Sequence, residues 1–156
     1  MRKMACVFGL FLIMASPLST GAQAPLPSAT AQAVTADEVR QFMEEYKARY
    51  MKMDIDAFMA LFSKEAAENR MLPYDDLREG YRKTFSNSTS IQYNLEIYNI
   101  QTYQKSAFVS GRYELIQFLK PNNKKKIFQG DIQWDLIREG GSLKIREISY
   151  VRDYSK

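Results

Sequence analysis

Histidine is absent from this chain of 156 residues, and cysteine occurs once, as Cys6. Without histidine there is no imidazole general base and no imidazole ligand for a metal; without a second cysteine there is no disulfide and no thiolate zinc site. Cys6 precedes an apolar run instead of following it, so it is not placed as a lipid-modified cysteine, and the folded part is read as free of thiols. No glycine-rich phosphate loop is present. Charge of one sign is lacking too. The 22 basic and 18 acidic residues give a net +4, and loss of Arg2 and Lys3 with a leader would leave 20 against 18. The one basic run, Lys124 to Lys126, reads as a hairpin tip with no nucleic-acid-binding motif beside it, so nucleic acid is not an expected partner. From these absences we expect no catalytic set of the common kinds, no cofactor and no metal.

What is present begins with a leader. Arg2 and Lys3 precede the apolar stretch Val7 to Ala15, which is too short to span a bilayer comfortably and is followed by small residues and turn formers. Residues 1–24 read as a secretory signal peptide, with cleavage after Ala22, Ala24 or Ala33 left open, and the product is expected to be periplasmic or secreted, with no membrane attachment once the leader is removed. Residues 25–34 are small, proline-containing and uncharged, the composition of a flexible tether. Residues 35–154 should form one domain.

Within that domain the apolar period changes once. "TADE" from Thr35 fits a capping box, and Val39, Phe42, Met43, Tyr46, Tyr50 and Met53 recur at helical spacing. Asp54 can cap a second, shorter helix whose apolar stripe is Ile55, Phe58, Met59 and Phe62. "SKEAAENR" reads as a polar helix end or loop. Pro73 suits the first turn of a third helix burying Tyr74, Leu77, Tyr81 and Phe85. From Thr89 the period becomes two, through "SIQYNLEI", "SAFVSGRYELIQFL", "KIFQGDIQWDLI" and "SLKIREISYV". The short connections demand antiparallel neighbours. The expectation is an α+β domain, three N-terminal helices packed on the concave face of a curved four-stranded antiparallel sheet. In the third strand Phe128, Ile132, Trp134 and Leu136 share the helix-facing side, while Gln129, Asp131, Gln133 and Asp135 share the other.

The series "FMEEYKARYMKMDIDAFMALFSKEA", "YDDLREGYRKTF" and "GDIQWDLIREGGSLKIREISY" resembles the nuclear transport factor 2-like superfamily, the cone-shaped fold shared by SnoaL-like proteins and ketosteroid isomerase. Leu143 stands where a second tryptophan is common in the closing hairpin. A nearer likeness is to periplasmic accessory domains associated with peptidoglycan carboxypeptidases and L,D-transpeptidase-related proteins, which implies an accessory or dimerising role in the cell envelope. The isomerase branch implies a hydroxyl donor on the first helix, where Tyr46 or Tyr50 could stand, and a carboxylate base just after the second. Only Glu65 and Glu68 are available for the latter, and the sequence places both on a solvated surface.

The expected function is therefore an exported non-catalytic domain that binds a protein partner or a small apolar ligand in the bacterial envelope, with a homodimer through the exposed sheet face also open. The second reading is a SnoaL-like small-molecule isomerase or hydratase. The candidate pocket residues are Tyr46, Tyr50, Arg112, Tyr113, Trp134 and Tyr150, with core packing of the tyrosines and an exposed strand face for Arg112 as the simpler readings.

Overall fold

Thr35 starts the first helix as its sequence position requires: it is extended, and its hydroxyl accepts the Glu38 backbone N–H at 3.2 Å. The computed structural model describes residues 33–153, and the leader and the first part of the tether lie outside them. Helix α1 runs Ala36–Lys52 and buries Val39, Phe42, Met43, Tyr46 and Tyr50, the face expected from the spacing. The capping box is only half formed. Glu38 does not return to the cap; its two carboxylate oxygens take Arg138 at 2.8 and 2.7 Å, tying the first turn to a strand 100 residues away.

Asp54 caps α2 (Ile55–Met59), its carboxylate accepting from the N–H groups of Asp56 and Ala57, both at 3.1 Å. This helix is shorter than the apolar stripe suggested. Phe62 already belongs to a strand, β1 (Phe62–Glu68), followed by the two-residue β2 (Leu72–Pro73) and by α3 (Tyr74–Ser86). Four long strands follow: β3 (Ser88–Thr102), β4 (Ser106–Leu119), β5 (Lys124–Glu139) and β6 (Ser142–Arg152).

Among the described residues the sheet has six strands in the order β2-β1-β6-β5-β4-β3, not four. The β3 to β6 meander is antiparallel as expected, but β1 adds to it parallel to β6. Strand β1 carries no period-two signal. Its lysine, glutamate and alanine content is poor in strand formers, and its burial alternates irregularly because the pairing with β6 shifts register between Phe62 and Ala67. Tertiary pairing overrides composition there.

Curvature comes from the long strands themselves. Register shifts interrupt β3 and β4 near Ile97 and β5 and β6 near Asp135, the irregularities that let a sheet coil. At Gly130 the backbone of β6 passes so close that a Cβ would sit 1.9 Å from the Val151 carbonyl oxygen. Gly140 and Gly141, both at positive φ, make the two-residue turn between β5 and β6. The curved sheet receives α1 chiefly on β3 and α3 on β1 and β3. Between the layers lies the core, with Trp134, Tyr46, Phe58, Leu77, Leu136 and Ile145 among its fully buried side chains. Phe58, Leu77, Leu136 and Ile145 each contribute about 1.5–3 kcal/mol on burial.

Candidate functional site

The end of β1 is built to hold one carboxylate. Asn69 and Arg70 both take positive φ, 51° and 60°, and the Met71 N–H returns to the Glu68 carbonyl at 3.0 Å, closing a tight hairpin. Asn69 then docks that hairpin on β6: its N–H donates to the Ile148 carbonyl at 2.9 Å and its side-chain oxygen accepts the Tyr150 N–H at 3.1 Å. Glu68 lies opposite Ile148, and its Oε1 accepts the Tyr150 hydroxyl at 2.6 Å.

That carboxylate lines a cavity of about 230 Å³, open at one side, between the helices and the concave sheet face. Among the described residues six tyrosines line it: Tyr46 and Tyr50 from α1, Tyr81 from α3, Tyr93 from β3, Tyr113 from β4 and Tyr150 from β6. The rings of Tyr50 and Tyr93 stack at 5.1 Å, those of Tyr93 and Tyr113 at 6.3 Å, and Tyr150 meets Tyr113 edge-on at 6.2 Å. The result is a continuous aromatic wall crossing from helix to sheet. Leu77, Leu115, Ile132 and Ile148 supply apolar lining, and the guanidinium of Arg152 reaches the same space. Buried Gln117, which donates to the Ser88 hydroxyl at 2.8 Å, is fixed below.

Burial keeps the hydroxyls of Tyr46, Tyr50, Tyr81 and Tyr93 protonated well above the ordinary tyrosine range, and the Glu68 carboxylate adds to this at Tyr46, Tyr50 and Tyr81. Tyr150 is raised by burial first and by its bond to Glu68 second, with Arg152 pulling the other way. The cavity therefore presents neutral phenol donors beside one carboxylate acceptor, a set able to bind a polar group or carry a proton.

Of the residues singled out from sequence, Tyr46, Tyr50, Tyr113 and Tyr150 come together around this cavity. Arg112 does not. Strand alternation turns it to the outer face, beside inward Tyr113, where it bonds Asp153 and lies 3.5 Å from Asp131. Trp134 is fully buried in the core with the Tyr46 ring edge-on at 5.6 Å, and it is not on the cavity wall. Asp131 and Asp135 face away from the helices, as the alternation required, and pair with Arg112 and Arg146.

Glu65 is exposed, but Glu68 lines the cavity instead of the solvated surface expected of it. Its placement depends on β1, which composition concealed. Tyr81 and Tyr93 were readable as inward residues from their helical and period-two positions; nothing local marked Arg152. Among the described residues no group of three or more histidine, cysteine, aspartate or glutamate side chains could hold a metal ion, and no helix is long and apolar enough to cross a membrane.

This helical layer over a curved sheet has the nuclear transport factor 2-like fold of its structural neighbours, which include SnoaL-like and ketosteroid-isomerase-like proteins. A nuclear transport factor 2-like superfamily protein of Salmonella enterica serovar Typhimurium superposes with a TM-score of 0.66 at 15% identity, over 77% of this chain and 92% of that one. A ketosteroid isomerase-like protein of Erwinia carotovora gives 0.63 at 17% identity, over 76% and 96%. Bd1075 of Bdellovibrio bacteriovorus gives 0.66 at 14% identity over 75% of this chain but 41% of its own, so there the cone is part of a longer chain. At such identities the likeness establishes fold alone. No family model matches the chain, and no curated protein matches it significantly.

Proposed function

We propose that this chain is an exported domain that binds a small ligand in its tyrosine-lined cavity, in the periplasm or outside the cell. The single observation behind this reading is the cavity itself: six phenol rings and a carboxylate converge on about 230 Å³ of space left unfilled by the core. Concave, largely apolar sites with a few fixed polar groups are where small molecules bind. Apolar cavities of about 150 Å³ already accept a benzene ring, so the volume suits a single ring with short substituents, and a polycyclic ligand would have to project from the mouth. Export rests on the leader, Arg2 and Lys3 ahead of Val7 to Ala15. An accessory role beside envelope enzymes rests on the sequence likeness alone, and the geometry of the cavity favours a ligand over a protein partner.

The test is a fragment screen by ligand-observed NMR, run in parallel on Gly80→Phe. Gly80 lies on α3 in the cavity lining, with nothing within 4 Å of where its Cβ would be, so the substitution adds a ring to that lining without displacing the core. Single-ring fragments that bind the natural chain and not the plugged one support the proposal. Equal binding by both, or none by either, defeats it.

A second reading, a SnoaL-like isomerase or hydratase, is favoured by one observation, Glu68 inside the cavity with the Tyr150 hydroxyl on one of its oxygens. The free oxygen would take a proton from a bound substrate and return it elsewhere, while neutral tyrosines donate to the developing oxyanion. Conversion of a bound fragment that Glu68→Gln abolishes while retaining affinity supports that reading; conversion unchanged in the variant removes it.

A further inference from the structure

Two opposite charges share this cavity without neutralising each other. Glu68 takes one hydrogen bond, from Tyr150 to Oε1, which leaves Oε2 with no donor among the described residues. Arg152 makes no ion pair among the described residues. Its guanidinium lies 4.9 Å above the Phe128 ring and 5.8 Å from that of Tyr150. The acid beside it in sequence, Asp153, is engaged by Arg112 on the opposite face of the sheet.

Arg152 is exposed and Glu68 is half-buried, so both stand toward the opening, while Leu77, Leu115, Ile132 and Ile148 line the interior with the tyrosines. An apolar ligand would take water from the half-buried Glu68 carboxylate and leave both charges without a partner. A ligand carrying an anion and a cation at one end and a ring at the other compensates both and fills the interior. We infer that the cavity takes a free α-amino acid with an aromatic side chain, its carboxylate in the fork of Arg152, its ammonium on Glu68 Oε2 and its ring among the tyrosines. The planar guanidinium is suited to a bidentate carboxylate, and Tyr150 keeps the Glu68 carboxylate turned toward the incoming ammonium.

This inference rests on the ligand-binding proposal and names its ligand class. Calorimetric titrations of the mature protein with D- and L-phenylalanine, 3-phenylpropionate, which lacks the ammonium, and phenethylamine, which lacks the carboxylate, test it. At least one enantiomer of phenylalanine should bind tenfold or more tightly than either partial probe. Arg152→Gln should cost phenylalanine and 3-phenylpropionate about tenfold and leave phenethylamine unchanged; Glu68→Gln should cost phenylalanine and phenethylamine and leave 3-phenylpropionate unchanged. Circular dichroism establishes that both variants fold. Equal affinities for the three probe types, or affinities indifferent to both substitutions, overturn the charge-pair inference and leave the cavity as a ligand site. Failure of all these probes, with neutral fragments still binding in the screen, also overturns it; failure of every fragment as well overturns the ligand-binding proposal.

Discussion

The Tyr150 hydroxyl donates to Glu68 Oε1 across 2.6 Å, joining the final strand of the sheet to the end of its first. Strands β1 and β6 are parallel neighbours there, and this bond crosses between their side chains on the concave side. It fixes the carboxylate that the candidate chemistry needs.

Tyr150→Phe should therefore loosen Glu68 without unfolding the domain. Glu68 is half-buried and can be hydrated when the hydroxyl is gone, so the stability loss should be about 1 kcal/mol, read from urea denaturation. Ligand affinity should fall more than that loss suggests, because the free oxygen is no longer aimed. Unchanged affinity would show that orienting Glu68 is immaterial.

Two glycines should respond in opposite senses. At Gly130 a methyl group meets the Val151 carbonyl at 1.9 Å, a backbone atom that no side-chain rotation relieves. Gly130→Ala should cost about 3 kcal/mol or more, at the top of the range for overpacking. Gly80 lies within α3 in open space, so Gly80→Ala should stabilise by about 0.5–1 kcal/mol through helix propensity. Denaturation midpoints check both, and a tolerated Gly130→Ala would contradict the close approach of β6.

The Glu38 and Arg138 pair predicts a loss of stability in acid. Its hydrogen bonds from Arg138 hold the Glu38 carboxyl below its ordinary value of 4.5. A lowered folded pKa stabilises fully above the unfolded value and is lost as pH falls through the folded one. Glu38→Gln should thus flatten the decline in stability below pH 4.5. The pair is partly exposed, so a double-mutant cycle with Arg138→Met should show a coupling of only about 1 kcal/mol. A zero coupling would mean that the first turn of α1 is not held by β5.

How much of this was legible in the sequence follows from what each element needs. Helix α1, α3 and the four long strands announce themselves because their apolar residues repeat at 3.6 or 2, and the inward side of Trp134 follows from the same parity. That parity also forbids Arg112 and Tyr113 from sharing a face, so only Tyr113 reaches the cavity. Glu68 was hidden because β1 owes its existence to β6, a partner some 80 residues later, and its own composition argues against a strand. The Arg138 partner of Glu38 is hidden for a like reason: a capping-box glutamate has a local use, and only the folded chain reveals the distant one.

Alkali should reveal the tyrosine cluster. The folded pKa values of Tyr46, Tyr50, Tyr81 and Tyr93 are raised above 10.0 by burial, so the stability they confer is present below that value and is lost as pH rises beyond it. Phenolate absorbance from these residues should appear only together with loss of the near-ultraviolet circular dichroism signal. Ionisation of the whole set near pH 10 with the fold intact would contradict their burial.

The central claim, that the space beneath the helices is a ligand site, is tested most directly by NMR of the protein labelled at its tyrosine rings and titrated with a fragment that binds. Shifts should be confined to Tyr46, Tyr50, Tyr81, Tyr93, Tyr113 and Tyr150, with Tyr98 and Tyr103, which are exposed outside the cavity, unmoved. Shifts at Tyr98 and Tyr103 with the six cavity rings unperturbed would contradict it.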